Sequence, residues 1–467
     1  MRYYFPVFLT FVLTAVLIIL LARHLTVISF LANFSGDAIH ENIYINGTAV
    51  GGLTSEEAAE LLQKEKGLDR RVIGFFYDDR LVHSFTFTDF GAEYDFSMLI
   101  EQAHQHGRIG SRRDQYRSLR ALSQSPFNVT GEPSYHYDEA MIPERLDAVR
   151  DQAGILPTNA TMRMDSGWSS IDGMPTDSEQ FTITEGTPGR TPDIQKAQTQ
   201  LKSILAKNDN DRNNRIDLEM LIIHPTYNAQ HFAQAQSLLG RFSTEYWGGE
   251  ESARSINIRL ATSHLHNSVV FPGETFSTRE AVGPSTPERG YELAAVIVGG
   301  QLVEDYGGGI CQVASTLYNA LLYSELDIIA RANHSLKVHY LDSGFDAAIA
   351  GDYMDLKFKN NHEYPVLIAA SAQNGILEVR IYGHETRPSN RTMAFVSELI
   401  EVIPPEPERV LVDENMPSGH VLINTEPQNG YKYELFRIVF IDGEQVSRER
   451  VNVSVYRPIQ GVITRGP

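Results

Sequence analysis

The sequence has 467 residues, with 40 Lys and Arg against 59 Asp and Glu, a net charge of −19 and a single cysteine. A hydrophobic fraction of 42% with 21% charged residues excludes a largely disordered chain and a polytopic membrane protein. The acidic balance argues against a nucleic-acid-binding protein, because phosphate contacts need a basic face. The lone Cys311 excludes internal disulfides and cysteine-based metal sites. At roughly 150 residues per domain, the length suggests about three domains.

The first 34 residues predict a membrane anchor. The run from Tyr3 to Ala22 carries no charge, and its twenty residues match the length needed to cross a bilayer core. A cleaved signal peptide is the alternative, but the segment lacks a strongly basic start and a clear small-x-small cleavage site. We therefore expect an uncleaved, single-pass anchor over residues 1–34 in the cell membrane, with the bulk of the chain extracytoplasmic.

Residues 35–207 alternate between helical and extended patterns and predict an α+β region. Ser55–Leu62 reads as a helix, because acidic residues fill its first turn and its apolar residues share one face. Strands are predicted over Arg71–Tyr77 and Leu81–Thr86, and further helices over Ser97–His104, Ile142–Gln152 and Asp193–Leu205. A similar order recurs after Tyr135, which suggests two related units. The polar run Lys207–Asn214 predicts a linker.

Residues 208–392 contain two compact glycine motifs. They are Pro272-Gly-Glu-Thr-Phe-Ser277 and Gly307-Gly-Gly-Ile-Cys-Gln312, and His334-Ser335 follows them. This order closely resembles the VanW family, known from glycopeptide-resistance clusters and from many Gram-positive envelope proteins. The resemblance covers about Arg254 to Glu385. It implies a cell-envelope protein linked to vancomycin resistance, with an α+β VanW domain preceded by a linker and a helix.

The tail from residue 393 to 467 predicts a small all-β domain. The proline-rich segment Ile403-Pro-Pro-Glu-Pro407 cannot be helix or central strand and marks a boundary. Beyond it, Tyr431–Ile441 and Val446–Tyr456 read as a strand pair around the hairpin signal Asp442-Gly443. The tail resembles the five-glycine extracellular domain.

Residues 35–207 are similar to the peptidoglycan-binding domain that often precedes VanW in the YoaR-like arrangement. The similarity rests on Asn46-Gly47, Phe90-Gly91, Gly107–Gly110 and Gly186–Gly189. We therefore expect an α+β multidomain protein with an N-terminal transmembrane helix and an all-β end. The resemblance implies that peptidoglycan or another cell-wall polymer is its partner, and that residues 3–22 hold it in the membrane.

The sequence around Cys311 suggests a thiol site. Before the cysteine stands a run of three glycines, Gly307, Gly308 and Gly309. Glycines adopt positive φ and let backbone N–H groups approach a bound group. A helix is predicted from Cys311 to about Leu326, and a thiol at a helix N-terminus has a lowered pKa. With the glycines, the amides up to Gln312 form a candidate oxyanion or ligand loop. The alternative is that Cys311 packs as a small buried residue at a tight helix start.

His334 and Asp346 follow Cys311 in the chain order of transglutaminase-like thiol acyl-transfer enzymes. In this hypothesis Cys311 is the nucleophile, His334 the base and Asp346 the orienting group. The sequence favours a wall-binding or scaffold protein, and the alternative is a Cys-dependent enzyme that transfers or hydrolyses amides of cell-wall peptides. No cofactor, metal or nucleic acid is expected. His264-Leu-His266, read as a strand with two imidazoles on one side, lacks further ligands at a recognised spacing.

Overall fold

The computed structural model of the chain describes residues 4–34, 36–166, 180–207, 214–298 and 301–467. The predicted linker between Lys207 and Asn214 lies, apart from its two ends, outside the described residues. The mixed helix and strand content confirms the predicted α+β class. The α-helices of the described residues are α1 Tyr4–Ala32, α2 Ser55–Lys66, α3 Ser97–Gln105, α4 Arg112–Leu122, α5 Ile142–Ala153, α6 Ile194–Lys207, α7 Ala229–Ala233, α8 Ala253–Leu265, α9 Thr278–Val282 and α10 Ile310–Tyr323.

The strands are short in the N-terminal half and longer towards the C-terminus. The first thirteen are β1 Ile43–Ile45, β2 Thr48–Ala49, β3 Val72–Tyr77, β4 Arg80–Thr86, β5 Glu93–Asp95, β6 Phe127–Val129, β7 Ser134–His136, β8 Thr161–Ser166, β9 Gln180–Thr184, β10 Gly189–Pro192, β11 Asn214–Asp217, β12 Met220–Ile223 and β13 Ser237–Glu245. The others are β14 Ser268–Val270, β15 Thr275–Ser277, β16 Leu293–Val298, β17 Gln301–Tyr306, β18 Asp327–Ala330, β19 Lys357–Lys359, β20 Val366–Gln373, β21 Ile376–Gly383, β22 Arg391–Ile403, β23 Arg409–Val412, β24 Val421–Thr425, β25 Gly430–Ile441, β26 Glu444–Tyr456 and β27 Val462–Arg465.

These elements form two compact units, and each unit is built from two separate stretches of the chain. Unit 1 comprises Met1–Leu156 and Pro188–Ile223. Unit 2 comprises Pro157–Thr187 and His224–Pro467. Unit 2 therefore contains both glycine motifs and the C-terminal strands, together with a hairpin that the chain forms earlier.

Helix α1 is apolar along its length. Its segment Phe8–Ala32 has 25 residues and a mean hydropathy of 2.4, and no residue in its most apolar stretch of 18 is buried. At 1.5 Å per residue this segment extends about 37 Å, more than the roughly 30 Å of a bilayer core. The predicted apolar run ends at Ala22, but the helix continues through Arg23 and His24, since neither residue breaks a helix. By length and composition, α1 is able to cross a membrane.

Unit 1 contains two hydrophobic cores. The first lies among helices α2, α3 and α4 and strands β1 and β6, and it buries Ile45 and Leu62. The second lies between the sheet β11-β3-β4 and helices α5 and α6, and it buries Phe75 and Leu201. Each core combines short strands with amphipathic helices, as the α+β pattern of this region predicts.

Local signals explain the predicted elements of unit 1. Helix α2 begins after Thr54, whose hydroxyl accepts from the Glu57 N–H while the Glu57 carboxylate accepts from the Thr54 N–H. The turn between β3 and β4 places Asp78 and Asp79 at φ 47° and 59°, which Asp tolerates better than most residues. Helix α4 is not predicted, because its sequence is strongly polar and gives only a narrow buried stripe.

An antiparallel sheet in the order β13-β21-β20-β14 forms the centre of unit 2. Alternate residues of β20 point to opposite faces, as strand geometry requires. Val366 and Ile368 join the core beneath α8 and α10, whereas Leu367 and Ala369 pack on the hairpin of β8 and β9. The sheet is thus covered on both faces, and α10 lies in the larger core.

The C-terminal region of unit 2 consists of strands, as predicted. Its sheets have the orders β22-β25-β26 and β23-β27-β24. The predicted hairpin is present between β25 and β26, with Asp442 at φ 53° and Gly443 at φ 85°. Strand β22 ends at Ile403, where the prolines begin. Leu435 of β25 is fully buried in the same core as α10.

Candidate functional site

Helix α10 begins at a tight glycine turn. Gly307 and Gly309 adopt φ of 86° and 114°, values that glycine reaches without strain. Gly308 has no such φ, but a Cβ there would lie 2.7 Å from the Ala295 carbonyl oxygen. The three glycines therefore serve a turn that has no room for side chains, and they place Cys311 second in the helix.

Helix α10 is buried along most of its length. Between Ile310 and Leu322 every residue is buried except Cys311, which keeps partial exposure. The sequence predicts one apolar face. The structure also buries the polar face, because its groups bond inside the helix or to the segments beside it. Ser315, for example, donates to the Cys311 carbonyl at 2.8 Å and to the Ala347 carbonyl at 3.1 Å. The helix therefore holds Cys311 in a fixed position, and that residue keeps a partial exposure that its neighbours in the helix lack.

The Cys311 thiol has two neighbours of chemical interest. Its sulfur lies 3.4 Å from the Ile349 carbonyl oxygen, to which the thiol can donate. The His334 imidazole is also close enough to the sulfur to lower the pKa of the thiol. An imidazole beside a cysteine at a helix start is the local environment of a reactive thiol.

Asp346 orients the His334 ring. The imidazole Nδ1 lies 2.7 Å from Asp346 Oδ2, and the His334 backbone N–H donates to the same oxygen at 2.7 Å. Asp346 is fully buried and His334 nearly so. With Nδ1 engaged, Nε2 is the ring nitrogen left for Cys311. The structure thus brings the three predicted residues together, with Asp346 bonded to His334 and His334 acting on the Cys311 thiol, and their catalytic roles stay predictions.

Burial and charge act in opposite directions on these three groups. Burial alone would raise the pKa of Cys311, but the hydrogen bond and positive charge of His334 outweigh it and lower that pKa. Burial alone would lower the pKa of His334, but hydrogen bonds to Asp346 and Cys311 raise it to about 9. The pKa of Asp346 is lowered, because His334 and Arg331 outweigh its burial. The two opposite shifts favour the pair of thiolate and imidazolium over the neutral pair of thiol and imidazole.

The backbone amides around Cys311 are not equivalent. The N–H of Ile310 donates to the Gly307 carbonyl at 3.1 Å, and that of Gln312 donates to the Gly309 carbonyl at 3.0 Å. For the amides of Gly309 and Cys311, the described part of the chain offers no hydrogen-bond partner. Two neighbouring free amides at a helix start are able to stabilise an anionic oxygen.

The side chain of Gln312 is held by hydrogen bonds within the fold. Its amide group donates to Thr244 Oγ1 at 3.0 Å and to the Glu245 carbonyl at 2.8 Å, and its oxygen accepts from Arg254 at 2.9 Å. It thereby ties α10 to β13. Sequence reasoning groups Gln312 with the ligand loop, but both its side chain and its backbone amide have partners within the fold. In the candidate loop, Gly309 and Cys311 keep free amides.

Replacing Gly308 by Ala is expected to lower the free energy of unfolding by about 1–3 kcal/mol, the usual cost of overpacking. The added methyl would lie 2.7 Å from both the Ala294 Cβ and the Ala295 carbonyl oxygen, and neither can move without shifting β16. Urea unfolding of the full chain in detergent measures the change. Gly36→Ala is the control, since nothing lies within 4 Å of its added methyl. Equal stability of the two variants would contradict the tight turn.

Two residues of the site lack a clear sequence signal. Arg331 donates to Asp346 Oδ1 at 3.2 Å and to the Asp346 carbonyl at 2.7 Å. The Tyr456 hydroxyl donates to Asp346 Oδ1 at 2.6 Å. Arg331 stands three residues before His334, so a search for basic residues near the histidine could find it. Tyr456 lies 110 residues beyond Asp346, and only the fold reveals its position.

The two histidines around Leu265 do not lie on a strand. His264 is in the last turn of α8 and His266 caps that helix, so the predicted strand is wrong here. His266 Nδ1 accepts from the Ala370 backbone N–H at 3.2 Å, which links the helix end to β20. Within the described residues no group of three His, Cys, Asp or Glu side chains is placed to hold a metal ion.

Comparison with known families matches the segment that carries these residues. Residues 253–382, which include the glycine turn, Cys311, His334 and Asp346, match the family described as VanW like protein. This segment is a VanW domain. The predicted resemblance is confirmed, and the Cys311 site lies inside the VanW domain.

Two further families match the flanking regions. Residues 83–214 match the family described as "Putative peptidoglycan binding domain". Residues 397–467 match the G5 domain. The order of the three domains is the one that the sequence predicts. The G5 domain accounts for the all-β C-terminal region.

Two curated relatives share the VanW domain. The protein YoaR of Bacillus subtilis (strain 168) is 34% identical over 197 residues, which are 42% of this chain and 62% of YoaR. The vancomycin B-type resistance protein VanW of Enterococcus faecalis (strain ATCC 700802 / V583) is 32% identical over 110 residues, 22% of this chain and 40% of that protein. The chain therefore spans less than two thirds of either relative.

Two solved G5-domain structures match a part of this chain. The IgA1 protease G5 domain is 27% identical and covers 16% of this chain and 92% of its own, with a TM-score of 0.14. HP0197-G5 is 20% identical and covers 17% of this chain and all of its own, with a TM-score of 0.12.

Proposed function

We propose that this chain is a membrane-tethered, cell-wall-associated enzyme that transfers or hydrolyses amide bonds of wall peptides through Cys311. The observation that carries the proposal is the Asp346 carboxylate bonded to the His334 imidazole, which in turn lowers the pKa of Cys311 at the start of a buried helix. A cysteine that only packs in a core does not require a neighbouring imidazole. A carboxylate bonded to that imidazole fixes its orientation and favours its charged form, as in a catalytic triad.

The geometry supports a two-step acyl transfer. In the first step the Cys311 thiolate attacks an amide carbonyl carbon, a C–S bond forms, and the Gly309 and Cys311 amides stabilise the oxyanion. The imidazolium of His334 gives its proton to the leaving nitrogen as the C–N bond breaks, which leaves a thioester. In the second step His334 takes a proton from water or an amine, which attacks the thioester. The C–S bond breaks and the thiolate returns.

The domains beside the VanW domain support the choice of substrate. Residues 83–214 match a family named for peptidoglycan binding, and the relatives that share the VanW domain include a vancomycin resistance protein. Peptidoglycan is cross-linked through peptide stems, so a protein held on this polymer is surrounded by amide bonds. Wall binding and amide chemistry are therefore two parts of one proposal.

The test is amine release from purified Gram-positive sacculi by the full chain in detergent. The wild-type protein is expected to raise the amount of free amine, measured with an amine-reactive dye, and Cys311→Ala is expected to release none. A labelled primary amine added to the reaction separates transfer, which incorporates it, from hydrolysis. Cys311→Ala should still sediment with the sacculi, because its wall-binding region is unchanged. Equal release by both proteins, or binding without release, would leave a wall-binding scaffold as the function.

The membrane tether predicts a topology. Helix α1 is long and apolar enough to span a bilayer, and the proposed substrate lies outside the cytoplasm. Protease added to intact protoplasts is expected to digest the Gly36–Pro467 portion and to leave a membrane-embedded N-terminal fragment. Protection of the whole chain would contradict the extracytoplasmic location. Release of an intact, shortened chain into the medium would instead show a cleaved signal sequence.

A further inference from the structure

The carboxylate of Asp346 is fully buried and has donors on both oxygens. Oδ2 accepts from the backbone and ring of His334, each at 2.7 Å. Oδ1 accepts from Tyr456 at 2.6 Å and from Arg331 at 3.2 Å. A carboxylate held on one oxygen alone can rotate about its Cβ–Cγ bond. The donors on Oδ1 therefore decide whether Oδ2 stays aimed at the imidazole.

The Tyr456 hydroxyl is placed to donate its proton to Asp346 Oδ1. The oxygen accepts from the Gly344 backbone N–H at 2.7 Å, and an N–H group can only donate. The hydroxyl proton is therefore free to point at Asp346 Oδ1, which is an acceptor. Tyr456 is buried, so water does not compete for this bond. The hydrogen bond is charge-assisted and stronger than one between neutral groups.

Tyr456 does not belong to the VanW domain. It ends strand β26 and lies within the segment 397–467 that matches the G5 domain. The strand end runs beside the segment that carries His334. Asn333 donates to the Val455 carbonyl at 2.8 Å, and the Arg457 N–H donates to the Ser335 carbonyl at 2.7 Å. The G5 domain thus reaches the site through backbone contacts as well as through Tyr456.

A second path links the same strand to Asp346. The Arg331 guanidinium donates to Ser454 Oγ at 2.8 Å and also to Asp346. Asn452, two residues before Ser454, donates to the hydroxyl of Tyr318 on α10 at 2.7 Å. Alternate residues of β26 thus face the VanW domain. The contact is built from buried, directional bonds and includes the buried Leu435 of β25.

We propose that the G5 domain is a working part of the thiol site, and that Tyr456 is the positioning residue through which it fixes the Asp346 carboxylate. The inference rests on the proposed function for the meaning of the site. Its physical content is that Tyr456 acts on Cys311 through Asp346 and His334, without touching the sulfur. If Oδ1 loses this donor, the longer bond from Arg331 alone holds that oxygen, so the carboxylate is fixed less firmly towards Nδ1, the imidazolium is less stabilised, and the thiolate is less favoured.

The test is the rate of Cys311 alkylation by iodoacetamide as a function of pH, measured by mass on the full chain. Since the chain has one cysteine, each adduct reports the site. Tyr456→Phe keeps the ring and removes the hydroxyl. Its alkylation midpoint is expected to rise by about one pH unit, so that the rate measured at a pH below both midpoints is about 10-fold lower. Tyr433→Phe is the control, because that ring lies 6.2 Å from the Tyr456 ring in the same sheet and does not bond Asp346. Its profile should match the wild type.

A structural role and a positioning role give different results. If Tyr456 only stabilises the fold, Tyr456→Phe lowers the thermal midpoint and leaves the pH profile of the folded protein unchanged, which overturns the proposal. A shift to lower pH overturns it as well. The measurement needs no substrate, so it stands even if no amine is released from sacculi. Failure of the enzyme assay and failure of this inference are therefore distinguishable.

Discussion

Replacing His334 by Ala is expected to slow the alkylation of Cys311 at pH 7 by about 10–100-fold, a shift of one to two pKa units. In the wild type the pKa of Cys311 is lowered by His334 against the effect of burial. Without the imidazolium, burial and the charge of Asp346 both raise that pKa, and the contact with the Ile349 carbonyl is the remaining opposing effect. The fraction of thiolate at neutral pH falls accordingly, and iodoacetamide reacts with the thiolate.

The pH profile gives the sign of the effect. Wild-type alkylation should already be fast below pH 8.5, the ordinary thiol pKa. It should stay nearly constant up to about pH 9, where His334 loses its proton. In His334→Ala the rate should rise steeply only in alkaline solution. His339→Ala is a suitable control, since His339 is exposed and stacks near Trp247. A wild-type thiol that reacts only after unfolding would end the enzyme proposal.

Asp346→Asn is expected to lower the free energy of unfolding by about 3–5 kcal/mol, because it leaves buried cationic groups without their counter-charge. The replacement has nearly the same shape, so no cavity contributes. Arg331 and the protonated His334 both lose a partner, and both are largely buried. Urea unfolding at pH 7 measures the change.

Asp352→Asn is the matched control for this stability measurement. Asp352 also pairs with an arginine, Arg279 at 2.6 Å, but its side chain is 99% exposed. Exposed ion pairs contribute about 0–1 kcal/mol, so this variant should lose little stability. If both variants lose the same free energy of unfolding, the buried contacts of Asp346 contribute no more to stability than an exposed ion pair does.

Much of the fold follows from local sequence signals. The hairpin of β25 and β26 is predictable because Asp442-Gly443 supplies the positive φ values that a tight turn needs. Helix α2 is predictable from its cap and its apolar spacing. The position of residues 157–187 in unit 2 is not predictable from the sequence. An alternating strand pattern predicts a strand, but it does not identify the distant sheet on which that strand packs.

The candidate site is likewise predictable only in part from the sequence. Cys311, His334 and Asp346 could be selected from the glycine run, the residue types and their order. Arg331 and Tyr456 could not be assigned roles, since their effect depends on a buried carboxylate whose donors come from separate segments. Gln312 shows the reverse case. It stands beside the cysteine in sequence, but its side chain donates hydrogen bonds to Thr244 and Glu245 of β13. Proximity in sequence identifies the helix start and does not tell which groups face a ligand.

A chain synthesised from its N-terminus begins unit 2 before it has finished unit 1. The hairpin of β8 and β9 emerges before the last strands of unit 1, but its methionines Met162 and Met164 are covered by β20 and β21, which follow only after α10. Until then an apolar hairpin stays open to solvent on a half-made protein. Such a surface is prone to aggregate and extends the time for which the nascent chain needs protection by chaperones. The interlaced path thus delays the completion of the second core until the residues that follow α10 have been synthesised.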